Sequence, residues 1–363
     1  MQIPFLLLAL AALCVSAVSR ACNNSPHLCD VSYDEVTHLG AHDAPFLAEA
    51  WTGFSSFGNQ FFNTTVQLDA GVRLLTAQVH VGSKPGTTAR DLHSSCTLFD
   101  VGSLQDWLWE IRIWLDRNSN EVVTIVLVNL GGASATELEG EYSRADLAHY
   151  GWVPPNISEA PAPSSEFNKT WPALGAMIDS GQRLVTFVNS LTPDAVNAPY
   201  LLREKDFVWE NSYAVTAAAD FACAPDRPSN TTTISDARDS GKLFLMNHFL
   251  YWQQAFGIQT PDRRVLNDTN SWDGPGGLGK HITKCANEYT RQPTFVLVDF
   301  FNVGPAIDSV DIFNGVDPVG RRNVTNVVID NGLPSRRVNG SGKKTVSLIL
   351  ALEVAAAVAC VVF

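Results

Sequence analysis

Short apolar runs rich in β-branched residues recur along this chain, and helical patterns separate them. The predicted strands cover residues 36–39, 72–79, 122–130, 184–189, 207–209, 243–246 and 295–300. Residues 104–115 have apolar side chains at helical spacing, and Asp116-Arg117-Asn118 ends that pattern. Continuous apolar strands that alternate with helices predict a parallel sheet covered on both faces. We therefore predict an α/β fold, a single-domain TIM-type (β/α) barrel, with a doubly wound open sheet as the alternative.

The N-terminal segment has the composition of a targeting signal. An apolar run over 5–18 is followed by small residues up to Ala21. This order is typical of a secretory signal peptide, cleaved after Ala17 or Ala21. A buried N-terminal helix is the alternative.

The C-terminal segment has the order of a GPI-attachment signal. The small residues Asn339, Gly340 and Ser341 precede two lysines and an apolar tail over 346–363. Such a sequence predicts that the tail is removed and that a lipid is attached at one of those three residues. A tail-anchored transmembrane helix is the alternative, and Glu353 within the tail disfavours it. The predicted organisation is a signal peptide over 1–21, a barrel domain over 22–338 and the attachment signal over 339–363.

The remaining composition fits a glycosylated protein of the cell surface. Asn-x-Ser/Thr sequons stand at Asn23, Asn63, Asn156, Asn168, Asn230, Asn267 and Asn323, with an eighth at Asn339. With 37 acidic and 25 basic residues the net charge is −12, which disfavours nucleic acid as a partner. We expect the chain at the outer face of the plasma membrane or in the cell wall. The sequence carries no oligomerisation signal, so we expect a monomer.

Cysteine usage also predicts an oxidising compartment. The chain has seven cysteines, of which two fall in the terminal segments and five remain. An odd number predicts two disulfides and one free thiol, or an intermolecular disulfide. The predicted bridges are Cys22–Cys29 and Cys223–Cys285, which leaves Cys96 as the thiol.

Three strand ends carry residues suited to acid–base chemistry. His42 and Asp43 follow the first predicted strand, and Asp299 interrupts the last apolar run. Active sites of TIM barrels lie at the C-terminal ends of the strands, so these groups are predicted to meet at one rim. Asp299 must be paired or lie at the mouth of the sheet, because an unpaired buried charge is strongly unfavourable. His93 follows the second strand by a loop and is the predicted second member of a histidine pair.

The second predicted strand is polar on one face near its end. Alternation places Thr76, Gln78 and His80 on one face and apolar residues on the other. This pattern predicts a polar lumen that opens into a site, with a solvent-exposed strand end as the alternative. A metal site would use His38 and His42 with a further histidine, but neither His-x-His nor His-Glu-x-x-His is present. We therefore predict no metal and no cofactor.

These residues fall in the order seen in a known superfamily. Gly40-Ala-His-Asp43, Gln67-Leu-Asp-Ala-Gly-Val-Arg73, His93 and Val298-Asp-Phe-Phe-Asn302 resemble the X domain of phosphatidylinositol-specific phospholipase C, with most similarity to secreted fungal PLC-like phosphodiesterases. The resemblance implies that His42 is the general base on the inositol hydroxyl and that Asp299 orients it. It implies further that His93 protonates the leaving alkoxide and that Asp43 supports it. The implied products are a cyclic phosphodiester and diacylglycerol.

Two departures from that superfamily concern the phosphate. Bacterial relatives carry Asp and Arg at the end of the second strand, and eukaryotic relatives carry acidic calcium ligands, whereas this chain has Thr76 and Gln78. Asn129 stands where those relatives place Lys or Glu. The resemblance therefore implies acid–base cleavage without calcium. The residues expected to contact substrate are Thr76, Gln78, His80 and Asn129, and His80 or Arg90 would supply positive charge.

Two classes of function are consistent with this sequence. The first is a GPI-anchored extracellular phosphodiesterase that cleaves a phosphoinositide, a GPI-like lipid or a related phosphodiester. The second is a catalytically weak or inactive barrel that binds a lipid headgroup or glycan at the cell surface. A glycosidase with a carboxylate pair ranks third. The complete set of acid–base residues favours the enzyme, because a binding protein does not need His–Asp pairs.

Overall fold

The computed structural model describes residues 20–49, 52–82, 90–93, 100–161, 171–324, 328–330 and 333–335. For Arg90, His93 and the last two segments it describes the backbone. Most of the predicted signal peptide, the predicted attachment signal with Asn339, Gly340 and Ser341, Cys96 and Asn168 lie outside these residues.

Every predicted strand and the predicted helix are present, with bounds that differ by at most two residues. The strands are β1 (His38–Ala41), β2 (Leu74–Val81), β3 (Arg90–His93), β4 (Asp100–Ser103), β5 (Val123–Asn129), β6 (Leu184–Val188), β7 (Leu201–Arg203), β8 (Val208–Asn211), β9 (Pro225–Arg227), β10 (Leu243–Asn247), β11 (Tyr251–Gln253), β12 (Gln259–Pro261), β13 (Phe295–Val298), β14 (Val328–Asp330) and β15 (Leu333–Ser335). The helices are α1 (Thr64–Asp69), α2 (Leu104–Arg117), α3 (Ala135–Arg144), α4 (Leu174–Ser180), α5 (Glu204–Phe207), α6 (Ile234–Asp239), α7 (Leu266–Thr269), α8 (Leu278–Tyr289) and α9 (Ala306–Asn314).

Eight parallel strands form a barrel in which the strands follow chain order. Their hydrogen-bonded order is β7-β6-β5-β2-β1-β13-β10-β8. The first and last of these strands along the chain are neighbours, in register from His38 with Phe295 to Ala41 with Val298. Among the described strands β7 and β8 do not pair, and the antiparallel β9 covers the edge of β8. The fold is therefore a TIM-type barrel that is open at one seam, as predicted.

Alternation along the strands divides the core into two layers. In β2, Leu75 and Ala77 pack with the surrounding helices, whereas Leu74 packs in the lumen. The N-terminal end of the lumen is closed by Trp171, which stacks on Tyr33 and Trp152. This aromatic plug leaves the C-terminal rim as the polar end of the barrel.

The helix predicted from periodicity is α2, and it covers the outside of the barrel. Ser103 caps it by accepting a hydrogen bond from the backbone of Asp106, and the buried Trp107, Ile111 and Trp114 recur at helical spacing. The helix packs against α1 and α3. No helix within the described residues combines the length and apolarity needed to cross a bilayer.

Arg73, from the segment that resembles the superfamily, lies at the end of the barrel opposite the predicted site. It precedes β2, and its side chain is 4% exposed. Its guanidinium donates to Glu121 at 2.6 and 2.9 Å and to the carbonyls of Leu68 and Val72 at 2.7 Å. Arg73 is therefore a structural residue that ties α1, β2 and the start of β5 together.

Both predicted disulfides are present in the structure, Cys22–Cys29 and Cys223–Cys285. Five of the sequon asparagines are exposed, namely Asn63, Asn156, Asn230, Asn267 and Asn323. Asn23 is 3% exposed, and its carboxamide oxygen accepts a hydrogen bond from the backbone of Val122. The carboxamide of Asn23 is therefore enclosed in the folded chain, unlike those of the five exposed sequon asparagines.

Candidate active site

His42 lies one residue beyond β1, at the C-terminal rim of the barrel. Its backbone N–H donates to the carbonyl of Val298 at 2.9 Å, which continues the ladder between β1 and β13. The turn follows at Asp43, where φ is 45°, a left-handed conformation that Asp adopts more readily than most residues. Two strand ends are thus held together at the point where the candidate catalytic groups emerge.

Gly40 is required for packing inside the barrel and does not form a turn. It lies within β1, where a Cβ would stand 2.8 Å from Leu74 and 2.9 Å from Leu297. Such a distance is too short for a carbon–carbon contact, so glycine is required for space in the lumen.

His42 and Asp299 form a buried hydrogen-bonded pair. Nδ1 of His42 lies 2.9 Å from Oδ1 of Asp299, and the two side chains are 11% and 3% exposed. With Nδ1–H donating to the carboxylate, Nε2 carries the lone pair that a general base needs. The carboxamide of Asn59 donates to the same oxygen of Asp299 at 2.9 Å. Asp299 is therefore fixed from two sides.

Asn59 and Gln60 are site residues that the sequence analysis missed. Gln60 donates to the carbonyls of His42 at 2.9 Å and Val298 at 3.2 Å, and it accepts from the backbone N–H of Phe301 at 3.2 Å. The dipeptide thus bridges the ends of β1 and β13. Its signal in the sequence is modest: two adjacent carboxamides between aromatic residues in Phe57-Gly-Asn-Gln-Phe-Phe62.

Asp43 lies on the other side of the His42 ring. Its Oδ2 is 3.8 Å from Nε2 of His42 and accepts a hydrogen bond from Gln78 at 2.7 Å. The backbone N–H of Asp43 donates to the hydroxyl of Thr76 at 2.8 Å. Thr76 and Gln78, predicted as substrate contacts, therefore position Asp43 in this structure.

The two carboxylates control the protonation of the imidazole. Burial disfavours the charged form of His42, but the negative charges of Asp43 and Asp299 and the Asp299 hydrogen bond together outweigh it and raise the pKa of His42. Burial also raises the pKa of Asp43, and this is partly offset by the charge of His42 and the hydrogen bond from Gln78. The site is therefore built to accept a proton on His42 and to stabilise the resulting imidazolium.

An aromatic wall covers one face of the imidazole. The ring of Phe249 stacks on His42 with centroids 3.9 Å apart and planes inclined by 10°. Tyr251 meets the His42 ring edge-on at 6.4 Å. Burial, followed by the charges of Asp43 and Asp299, raises the pKa of Tyr251 well above its usual value. Its hydroxyl is therefore neutral, beside a rigidly held base.

Asn129 does not face the site as predicted. Its carboxamide donates to the carbonyl of Ala133 at 2.9 Å and accepts from the N–H of the same residue at 2.8 Å. Both polar groups are thus used to close the turn that follows β5. We correct its assignment from substrate contact to structural residue.

The backbone of β3 runs beside the site. His80 pairs with Asp91, and Leu92 pairs with Val79. His93 therefore lies next to the part of β2 that carries Gln78. The side chain of His93 lies outside the described residues, as does that of Arg90, so the approach of the two imidazoles stays a prediction.

A second polar cluster, also missed from the sequence, lies at the C-terminal ends of β6, β8 and β10. Glu210 accepts from Arg227 at 2.7 Å and from Asn247 at 2.8 Å, and Glu204 accepts from Asn189 at 2.9 Å. Burial and the neighbouring Glu210 raise the pKa of Glu204 to about 7. The cluster offers buried donors and acceptors on the same rim as His42.

Fold and site together define a class of protein: a TIM-type barrel with a His–Asp acid–base pair at its C-terminal rim. A family model described as PI-PLC X 1 matches residues 28–314. The chain belongs to the PI-PLC X domain family.

Two proteins of Arthroderma benhamiae are similar in sequence. PI-PLC X domain-containing protein 1 is 32% identical over 314 residues, which are 85% of this chain and 95% of that protein. An uncharacterized secreted protein is 29% identical over 295 residues, covering 80% of this chain and 62% of that protein. The first of these relatives independently supports the family assignment.

Solved structures support the fold. The phosphatidylinositol-specific phospholipase C of Listeria monocytogenes superposes with a TM-score of 0.50 at 13% identity, over 79% of this chain and 95% of that one. A mutant of the Staphylococcus aureus enzyme also gives 0.50, at 10% identity, over 77% and 93%. At such low sequence identities the structural similarity shows the barrel fold alone.

Proposed function

We propose that this chain is an extracellular phosphodiesterase that cleaves a phosphoinositide, a GPI-like lipid or a related phosphodiester by acid–base catalysis. The observation that carries the proposal is the buried His42–Asp299 hydrogen bond at the rim of a PI-PLC X barrel. A second His–Asp contact, between His42 and Asp43, lies on the opposite side of the same ring. Such paired carboxylates support an imidazole that gains and loses a proton in each cycle.

In the proposed reaction the substrate supplies its own nucleophile. Nε2 of His42 takes the proton from the hydroxyl next to the phosphate, and the alkoxide attacks phosphorus. The bond from phosphorus to the lipid oxygen breaks, and His93 gives that oxygen a proton. The products are a cyclic phosphodiester and a lipid alcohol such as diacylglycerol. Asp299 and Asn59 hold the base in the required tautomer throughout.

The proposed route uses no metal ion. The groups that the described side chains present to His42, Asp43 and Asp299 are amides, a hydroxyl and carboxylates, which include no ring of acidic calcium ligands. We expect phosphodiesterase activity to persist after treatment with EDTA. Loss of activity in EDTA, with recovery on addition of calcium, would contradict a metal-independent site.

Apolar side chains around the rim fit a lipid-type substrate. The hairpin of β11 and β12 starts at Tyr251, beside His42, and carries the exposed Trp252 and Phe256, the latter 62% exposed. Arg263, just after the hairpin, donates to the carbonyl of the exposed Phe54. Exposed apolar residues beside a site commonly mark contact with an apolar partner.

We also propose that the mature chain is held outside the membrane by a lipid at Asn339, Gly340 or Ser341. The support for the lipid is the order of small residues, lysines and apolar tail. A relative that is named as a secreted protein supports the extracellular location. Deletion of 346–363 should release the chain into the medium, whereas the full chain stays with the membrane fraction. Retention of the truncated chain would count against the anchor.

The raised pKa of His42 sets the expected pH profile. A general base must be neutral, so kcat/KM should fall as pH decreases through the pKa of His42, at a midpoint above its usual 6.5. Asp43→Asn removes one of the two charges that raise this pKa and should move the acidic limb to lower pH. Asp146→Asn, beside the surface His149, is the control and should leave the limb in place. If the acidic limb of the kcat/KM profile does not move in Asp43→Asn, a group other than His42 controls that limb.

The decisive experiment is a panel of phosphodiesters offered to the purified chain and to His42→Ala. Turnover of one lipid phosphodiester by the first and not by the second supports the enzyme. Binding of a headgroup without turnover by either protein would favour the non-catalytic barrel instead.

A further inference from the structure

Arg263 is a buried cation that the proposed chemistry does not use. It follows the hairpin of β11 and β12 and is 8% exposed. Its guanidinium donates to three backbone carbonyls of one loop: to Phe54 at 3.3 Å, to Ser55, and to Gly58 at 3.3 Å. The same guanidinium lies over the ring of Phe300, with Cζ 5.3 Å from the ring centroid. One side chain thus gathers the carbonyls of residues 54–58, which form neither helix nor strand.

The loop bound by Arg263 leads directly into Asn59. The carbonyl of Gly58 belongs to the peptide group that joins Gly58 to Asn59, so a donor on that oxygen orients Asn59 itself. The backbone N–H of Asn59 donates to the carbonyl of Phe46 at 2.8 Å, and its carbonyl accepts from the N–H of Phe300 at 2.8 Å. The position of Asn59 is therefore determined by two hydrogen bonds on one side and by the arginine on the other.

Asn59 transmits this position to the candidate catalytic pair. Its carboxamide donates to Oδ1 of Asp299 at 2.9 Å, and the same nitrogen lies 3.2 Å from Nδ1 of His42. Both contacts depend on the side-chain conformation of a residue that is 4% exposed. The hairpin also contacts the pair at its other end, where Tyr251 meets the His42 ring edge-on. The segment from Tyr251 to Arg263 therefore contacts the base directly, and it reaches the orienting carboxylate through Asn59.

We propose that Arg263 is a positioning residue for the His42–Asp299 pair and that it acts through the loop of residues 54–58 and Asn59. Removal of its donors leaves three carbonyls without their partner. The loop can then move away from the barrel, and the carboxamide of Asn59 can leave Asp299. Lysine does not replace Arg263, because a single ammonium nitrogen lacks the planar fork that spans separate acceptors. The catalytic consequence rests on the proposed function, whereas the coupling of Arg263 to the imidazole does not.

Nitrogen-15 NMR of the histidine side chains tests this coupling without any substrate. At a pH where His42 is neutral, its Nδ1–H proton should give a resonance that is absent from His42→Ala. We expect Asn59→Ala to speed exchange of this proton with water by about tenfold, the order expected for one lost hydrogen bond to a charged group. Arg263→Met, which keeps an apolar chain over Phe300, should have a similar effect. Arg264→Ala removes a neighbouring arginine whose side chain is 53% exposed, and this control should leave the exchange rate unchanged.

The double variant Arg263→Met/Asn59→Ala tests whether the two residues act in sequence. If Arg263 acts through Asn59, the exchange rate in the double variant should equal that in Asn59→Ala, since coupled residues do not have additive effects. A rate that reflects the product of the two single effects would overturn the proposal. So would an unchanged rate in a folded Arg263→Met. Circular dichroism monitors folding, and if Arg263→Met does not fold, Arg263→Lys, which retains the charge, takes its place in the same comparison.

Steady-state kinetics separates this inference from the proposed function. In a chain that turns over a phosphodiester, Arg263→Met should lower kcat with little change in KM, because the guanidinium is buried against the loop and does not bind substrate. Faster proton exchange in Arg263→Met, in a chain without turnover, would support the coupling and reject the enzyme. Turnover at the normal kcat together with normal exchange in Arg263→Met would support the enzyme and overturn the positioning role.

Discussion

Replacement of His42 by alanine is expected to lower phosphodiesterase turnover by about 10²–10⁴-fold, the usual contribution of one positioned proton-transfer group. His42 is the group on which the site converges, since Asp299, Asn59 and Asp43 all surround its ring. His93→Ala should cause a loss of similar size, because the proposed acid and base act on one phosphorus. The double variant should then be scarcely slower than either single variant, as is usual for groups that act as a unit. Steady-state kinetics on the preferred phosphodiester measures all three.

His149→Ala is the matched control, because the side chain of His149 is 53% exposed on the outside of the barrel. This variant should turn over the substrate at the normal rate. Circular dichroism should show that His42→Ala and His93→Ala remain folded. Two results would show that the two histidines do not form one catalytic pair. The first is turnover that survives His42→Ala, and the second is a loss in the double variant equal to the product of the two single losses.

Replacement of Glu121 by alanine is expected to lower the free energy of unfolding by about 3–5 kcal/mol, because it leaves the buried charge of Arg73 without its counter-ion. The side chains of Arg73 and Glu121 are 4% and 10% exposed, and the shortest contact between them is 2.6 Å. The remaining hydrogen-bond partners of Arg73 are two carbonyls and the carboxamide of Asn24, and its guanidinium also lies over the ring of Trp114. These are neutral and do not balance a guanidinium that is removed from water. Denaturant-induced unfolding measures the change.

Asp116→Ala provides the comparison for Glu121→Ala. Asp116 pairs with Arg112 on the surface of α2, four residues apart, and such exposed helix pairs contribute about 0.3–0.5 kcal/mol. Both variants remove the acidic partner of an arginine, one buried and one exposed. Asp116→Ala also removes the hydrogen bond that Asp116 accepts from the hydroxyl of Tyr150 at 2.8 Å. Equal losses of stability would show that the Arg73 network is hydrated in solution and does not depend on burial.

The sequence was most informative where a residue conflicts with its local pattern. Asp299 interrupts an apolar run, and that conflict alone indicated a paired or rim-located carboxylate. Its pairing with His42, which the resemblance implies, agrees with barrel closure, since the first and last strands of a closed sheet are neighbours. The observed pair spans 257 residues of sequence, yet fold class and strand order were sufficient to anticipate it.

Residues whose role depends on a distant part of the backbone show no such conflict in the sequence. Asn59 and Gln60 lie in a long loop, and their function exists only because the loop returns to the gap between β1 and β13. Asn129 has the sequence position of a ligand, but its carboxamide bonds to a residue four positions away. Thr76 and Gln78 were found on the correct face of β2, but the structure gives them Asp43 as partner.

Periodicity and apolar run length therefore predicted seven of the eight barrel strands and the outer helix of this protein, because each depends on near neighbours, and they missed β7. The cysteine count left a small choice of pairings, and both expected disulfides are present. The tertiary structure decided which polar groups face one another: Arg73 with Glu121 at the closed end, Asp43 with Gln78 at the open end, and His248 with His281 behind the sheet. The physical reason is that hydrogen bonds and ion pairs act over about 3 Å. A pattern along the chain specifies which face a side chain occupies, and only the closed barrel specifies which atoms come within that distance.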